Sequence, residues 1–484
     1  MAKLTYTVLS LLLLVLGACT SGISNTPNDR TTFNDDWRFH LQSPGDSADY
    51  AAVGFDDSSW RRLELPHDWA IEGNFSQDNP SSTGGGALPG GIGWYRKSFD
   101  TPAGMKPDDR VFVDFDGAYM NTSVYVNGKL LGTRPYGYAS FCYDITDYLN
   151  RNGRNVIAVK VDNAEQPNSR WYSGCGIYRN VWLRHTAGVF VPLWGQHIIS
   201  DVNATGNGIV SMTTDVRNTT ASARDITVES RMFAPDGKEV AKVSSKVTAE
   251  RDTVTVCRQE LTVPSPLLWS PASPNLYRVE TRLITDGKTT GVYETNTGFR
   301  TLAFDAKDGF RLNSERMKIR GVCLHHDAGA LGAVVNRRAM ERQLQIMKEM
   351  GANAIRVSHN PPAPELLELC DSMGLLVMDE TFDMWRKKKT EHDYARYFNE
   401  WHERDLTDLI RRDRNHPSVF MWSIGNEVLE QWSHADADTL SLEQANLILN
   451  FGHGKEMLAH EDSSMSVNSL LTRKLTEMVR ELDT

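Results

Sequence analysis

Four short polar clusters in the C-terminal part of the chain carry the residue types needed for acid–base chemistry on a polyhydroxylated ligand: His325-His326-Asp327, Ser358-His359-Asn360-Pro361, Asp379-Glu380 and Asn426-Glu427. Each follows an apolar run of strand length. The last is the sharpest, because an apolar strand over 419–424 stops at Gly425 and delivers Asn426 and Glu427 at its carboxyl end. In parallel α/β sheets and barrels, catalytic side chains project from that end. A carboxylate there, with Asn426 and Trp422 as neighbours, can serve as general acid and base on a glycosidic oxygen. Burial against apolar walls would raise its pKa enough to hold a proton near neutral pH, and the amide could bond a sugar hydroxyl. A lone Asn-Glu pair is more often a helix cap followed by a solvated acid, but four polar strand ends in succession point to a shared polar floor. A metal cluster is the competing reading, since histidines and carboxylates are ligands. Adjacent His325 and His326 on a strand would face opposite sides, which argues against it.

The elements that must position these clusters alternate as a βα barrel requires. The pattern predicts strands over 318–324, 353–357, 375–378 and 419–424. Helices are predicted over 336–350, 364–373 and 400–413, and again over 466–483. A complete (βα)8 barrel needs roughly 250 residues, so the span 304–484 predicts an incomplete barrel with four strands. Upstream, residues 31–186 read as all β, with strands over 111–115, 123–129, 156–161 and 181–183 and an Asn127-Gly128 turn. Residues 187–302 read as a second β domain, with strands over 228–233 and 253–263 and a turn at Asp236-Gly237-Lys238. The expected fold class is therefore a multidomain β plus α/β chain: a jelly-roll β-sandwich, an immunoglobulin-like β-sandwich and an incomplete TIM barrel over 303–484.

Composition narrows the partners. With 52 Lys+Arg against 62 Asp+Glu, the formal charge is -10, and no basic tract marks a nucleic-acid or polybasic membrane contact. At the N-terminus an early Lys3 precedes an apolar run over 8–16, too short to span a bilayer as a mature helix, so residues 1–18 read as an export signal. Cys19 would then be a lipidated first residue and 19–30 a polar tether, which predicts an exported periplasmic or cell-surface lipoprotein of a Gram-negative bacterium. Cys142, Cys175, Cys257, Cys323 and Cys370 lack metal-type spacing. Cys323 and Cys370 sit in apolar runs, which predicts buried thiols.

The motif R-D-R-N-H-P-S-V-F-M-W-S-I-G-N-E, residues 412–427, resembles the signature of family 2 glycoside hydrolases, the group of β-galactosidases, β-glucuronidases and β-mannosidases. The resemblance extends upstream. Trp37, Leu65-Pro66-His67-Asp68-Trp69, Gly93-Trp94-Tyr95-Arg96 and the run from Arg170 to Arg179 resemble the family's N-terminal jelly roll. Leu268-Trp269-Ser270-Pro271 and Gly298-Phe299-Arg300 resemble its immunoglobulin-like module. The resemblance implies that Glu427 is the acid/base and that Asn426, His325, Asp327 and His359 hold a terminal sugar by its hydroxyls. It also implies that Arg356 orients the nucleophile.

Some relatives lend an acidic residue from just before the tryptophan matching Trp171. Here Asn168-Ser169-Arg170 stands there, so no such contribution is expected. Met384-Trp385-Arg386 replaces a magnesium-ligand pattern, so no metal and no cofactor is expected. The implied activity is that of a retaining exo-β-glycosidase, most simply a β-galactosidase acting on terminal β-D-galactosyl residues of an oligo- or polysaccharide. β-Glucuronidase or β-mannosidase specificity, or a non-catalytic glycan-binding lipoprotein, are the alternatives. Retention needs two carboxyl groups about 5 to 5.5 Å apart. In the resembled family the nucleophile follows strand seven, so the chain is expected to be an N-terminal part, inactive by itself, with an exposed edge at its fourth strand.

Overall fold

The computed structural model describes residues 29–428 and 467–483. Sandwich one pairs a four-stranded sheet with a six-stranded one. The first runs Asp29–Thr32, Val181–Thr186, Arg110–Phe115, Phe141–Asp144, and the second has Gly91–Asp100 and Arg154–Asn163 at its centre. Alternation along Arg110–Phe115 and Thr122–Val126 sends Val111, Val113, Val124 and Val126 into one core with Trp37 and Tyr95, as a half-buried sheet face requires. The expected strand over 123–129 is two strands, Thr122–Val126 and Lys129–Arg134. Asn127 and Gly128 both have positive φ (49° and 77°), the two-residue turn whose twist suits a hairpin.

The second sandwich stacks the sheet around Gly208–Asn218 on the sheet Glu239–Ala249, Arg224–Phe233, Tyr277–Thr285, Lys288–Thr297. A small antiparallel sheet, Leu302–Asp305, Gly309–Leu312 and Glu315–Arg316, then leads into the α/β region.

There, Gly321–Leu324, Ala354–Val357, Leu376–Glu380 and Val419–Ser423 form a parallel sheet in sequence order. Three helices, Arg337–Glu349, Pro364–Met373 and Ala395–Asp413, connect them, and Val467–Leu482 follows. Local signals set the ends. The Asn336 side chain accepts from Ala339 N at 3.0 Å, an N-cap that satisfies one orphan donor. Pro364 opens the second helix, and Gly374 closes it at φ 74°. A Cβ on Gly374 would lie 2.5 Å from the Pro271 carbonyl oxygen, so this glycine serves both the left-handed cap and the approach of the second sandwich. The third helix starts before the expected residue 400. The Asp393 carboxylate accepts from Ala395 N at 3.0 Å, and Phe398 extends the buried stripe of Leu406 and Ile410.

Both sandwiches are built into the barrel half. Tyr119, Tyr136, Tyr138 and Tyr178 of the first share one buried cluster with Phe382, Trp385, Tyr394 and Phe398 of the barrel. Each fully buried phenylalanine contributes about 1.5–3 kcal/mol, so the cluster fuses the two units. Arg179, wholly buried, donates to the Pro361 and Pro362 carbonyls at 2.8 and 3.0 Å. Arg134 and Asp405, both inaccessible, pair at 2.5 Å. From the second sandwich, Trp269 Nε1 donates to the Asp371 carbonyl at 2.8 Å and Arg300 to the Val419 carbonyl at 2.5 Å.

Candidate active site

The polar floor forms at the carboxyl ends of the four parallel strands, and its centre is Glu380. Strand parity explains why. Outward-facing Val377 packs on the helices, so Asp379 points outward and Glu380 inward. The expectation that both acids follow the third strand is thereby corrected, since they are its last two residues.

The Glu380 carboxylate has no exposed surface. Its Oε2 accepts from Arg356 Nε and Nη2 at 3.0 and 2.7 Å and from Ser423 Oγ at 2.6 Å, and its Oε1 pairs with His359 Nδ1 at 2.7 Å. Nδ1 of His359 thus faces the floor, which leaves Nε2 on the side of the ring turned away from it. Burial of this side chain is tolerated because both of its oxygens meet hydrogen-bond partners.

Arg356 extends the network to Asn426. Its Nη2 donates to Asn426 Oδ1 at 2.7 Å, and Asn426 Nδ2 donates to Asp383 Oδ1 at 2.8 Å. The amide is thus oriented from both sides and buried. Asp383 also accepts from Lys389 Nζ at 2.9 Å and from Arg170 at 2.7 and 3.3 Å. Burial pushes its carboxyl up, but the bonds from Arg170, Lys389 and Asn426 outweigh that and hold it below its usual range.

His325 stands beside the floor, its ring 5.1 Å from Trp171 and 5.4 Å, edge-on, from His359. Burial, and then the neighbouring His359, push its pKa down. His326 departs to the sandwich side, between Tyr138 and Tyr178, with Nε2 3.1 Å from the Ser173 carbonyl oxygen. Asp327 is exposed, and its backbone carbonyl accepts from Gln343 at 3.4 Å. Of the sequence-derived residues, the structure therefore joins His325, His359 and Asn426, and leaves Asp327 outside their network.

Glu427 differs from expectation. It sits at the rim with φ 41°, and its side chain is 59% exposed, with Arg170 Nη1 3.9 Å away. The apolar walls expected around its carboxyl are not there among the described residues. Trp422 does not flank it either. With Ser423 turned inward to Glu380, Trp422 turns outward and its Nε1 donates to Asp483 at 2.8 Å.

The sequence assigns no role to Asp383, Lys389 or Ser423, and names Glu380 only as a member of the polar floor; period two puts Asp379 and Glu380 on opposite faces without saying which is inward. It expected nothing from Arg170, yet the first sandwich does enter the site there, with a base in place of an acid. Trp171, from the same segment, lines the histidine pair. Cys370 is buried as expected, while Cys323 is exposed, and all five described cysteines are free thiols. No described group of three or more His, Cys, Asp or Glu residues has metal-binding geometry. Cys19 and the expected signal segment lie outside the described residues.

A jelly roll, an immunoglobulin-like sandwich and TIM-barrel strands with a carboxylate floor define a multidomain β-sandwich and barrel protein. Comparison with known proteins agrees. Family models described as the glycosyl hydrolases family 2 sugar binding domain, glycosyl hydrolases family 2, and the family 2 TIM barrel domain match residues 33–187, 193–300 and 305–446. The chain belongs to glycoside hydrolase family 2. It is 58% identical to a β-galactosidase of Bacteroides ovatus over 97% of its own length and 54% of the relative's. It is 29% identical to a β-glucuronidase of Bacteroides fragilis over 82% of its length and 56% of the relative's. A crystal structure of a family 2 member from Bacteroides cellulosilyticus superposes with a TM-score of 0.83 at 37% identity, covering 94% of this chain and 55% of that one. The chain thus spans about half the length of the relatives it matches.

Proposed function

We propose that the chain forms the N-terminal and acid/base-bearing part of a retaining exo-β-glycosidase that releases terminal β-D-galactosyl residues from an oligo- or polysaccharide. The observation that carries this reading is the hydrogen-bonded set Glu380, Arg356, His359 and Asn426 at the strand ends, with Glu427 on the rim above it. Glu427 protonates the leaving oxygen and then activates water, while Asn426, His359 and His325 bind hydroxyls of the terminal sugar. Asp327, exposed beside them, is assigned to the same sugar from its place after the first strand. The reading as a galactosidase is supported by the Bacteroides ovatus relative, and β-glucuronidase specificity by the Bacteroides fragilis one. We place the protein outside the cytoplasm, held by a lipid on Cys19, on the pattern of its first residues. Metabolic labelling with palmitate in wild type and Cys19→Ser tests that.

Aryl β-galactoside, β-glucuronide and β-mannoside turnover, measured in parallel for wild type and Glu427→Gln in the longest polypeptide the reading frame encodes, tests the rest. Galactoside cleavage reduced by about 10²–10⁴-fold in the variant is expected. Preference for the glucuronide would reassign the substrate, and equal rates in both proteins would remove Glu427 from the chemistry.

A further inference from the structure

We propose that Arg170, brought in by the N-terminal sandwich, is a positioning residue for Glu427; this rests on the reading of Glu427 as acid/base. Among the described residues Arg170 is the cation within ion-pair distance of that carboxylate, Nη1 to Oε2 3.9 Å. Its Nε and Nη2 are held on Asp383 at 3.3 and 2.7 Å. Asp383, 3% exposed, is itself fixed by Lys389 and Asn426. A planar guanidinium pinned along one edge presents its remaining nitrogen at a set place, which a lysine on a flexible stem does not.

Charge balance of Asp383 does not require Arg170. Lys389 Nζ already lies 2.9 Å from the same carboxylate oxygen that receives Asn426. The second cation therefore has a function beyond neutralising Asp383, and the group on its open side is Glu427.

The backbone supplies an independent observation. Glu427 has φ 41°, a left-handed conformation that is unfavourable for a side-chain-bearing residue and persists where surroundings over-determine it. The rim is thus held in a conformation that aims one carboxylate, and Arg170 is the charged group beside it. The same short segment puts Trp171 against His325 and His359 at 5.1 and 5.5 Å, so one sandwich loop both walls the sugar pocket and sets the rim.

The test compares kcat/KM of wild type, Arg170→Gln, Arg170→Lys and Glu427→Gln, in the longest polypeptide the reading frame encodes. The substrates are 2,4-dinitrophenyl and phenyl β-galactoside, whose leaving groups differ in their need for a proton. Arg170→Gln is expected to lose about tenfold to a hundredfold on the phenyl substrate, as misplacement of a catalytic group does. Its change on the dinitrophenyl substrate should be no more than about twofold, since the proton is not needed there. Glu427→Gln should show the same selectivity more strongly, and Arg170→Lys should not restore the rate. Equal losses on both substrates, no loss, or full rescue by lysine would overturn the proposal. If wild type and Glu427→Gln are equally inactive, the glycosidase reading fails, and a crystal structure of Arg170→Gln decides the positioning role. A Glu427 carboxylate and φ unchanged from wild type would refute it, and a displaced rim would support it.

Discussion

Glu380 and Glu427 are both delivered by adjacent parallel strands, and their surroundings are opposite. Glu380 is sealed from solvent, with an arginine, a histidine and a serine on its two oxygens. Glu427 is 59% exposed, with one cation 3.9 Å away. The first has the environment of a fixed structural charge whose removal would strand its partners. The second has the environment of a group that must meet substrate and exchange protons, held by its backbone conformation and a single ion pair. Floor and rim divide the labour: the buried acid fixes Arg356, and Arg356 fixes Asn426, so the rim residues that face the ligand inherit rigidity from a carboxylate the ligand never needs to displace.

That division can be broken at the floor first. Glu380→Leu leaves the Arg356 guanidinium and His359 without their acceptor, and is expected to cost about 3–5 kcal/mol of stability, the usual penalty for orphaning one member of a buried pair. Urea unfolding checks this, and a loss below about 1 kcal/mol would show that the floor is not under that constraint.

Acid provides the next contrast. Burial, and then the Arg179 guanidinium, push His326 down to about 3 from its ordinary 6.5. A depressed histidine favours folding when neutral, so its contribution is full above pH 6.5 and is lost as pH falls toward 3. His326→Gln, which keeps a donor for Ser173 and does not titrate, should flatten unfolding midpoints across that window.

Asp379 acts in the opposite sense. Burial, and then the Asp413 carboxylate, push it well above its ordinary 3.8. Counted as ionised, neither of its oxygens has a donor; protonated, it can donate to Asp413. Its contribution is therefore full below pH 3.8 and is lost as pH rises through the folded value. Asp379→Asn should remove that loss and raise the urea midpoint at pH 7.

The smallest effect is expected at the rim. Glu427→Gly relieves the left-handed φ of 41°, and should stabilise by about 1 kcal/mol at most, while activity falls with the carboxylate. Calorimetry beside a galactoside assay reads both. A destabilised Glu427→Gly would mean that the contact with Arg170 outweighs the backbone strain.

Much of the architecture was legible from period and punctuation. The helix Pro364–Met373 has the expected ends, and Pro364 and Gly374, which set them, act through their own backbone. The start of Ala395–Asp413 was not legible, because its boundary is set by the Asp393 side chain folding back and by Phe398 meeting a core drawn from another domain. The polar strand ends were likewise readable as a floor, but not which acid would be sealed in. That depends on which strand lies beside which and on where a register irregularity falls between Leu376–Glu380 and Val419–Ser423.

The sequence carried the family through the resemblance of its motifs, and residue order by itself determined the β modules, the parallel strands and the carboxyl-end placement of His325, His359, Asn426 and Glu427, because periodicity and turn chemistry act over a few residues. Tertiary structure alone decided that Glu380 is buried and Glu427 exposed, that Trp422 faces away, and that Arg170 enters from another domain. Burial and ion pairing between residues hundreds of positions apart are set by packing, and no local pattern encodes them.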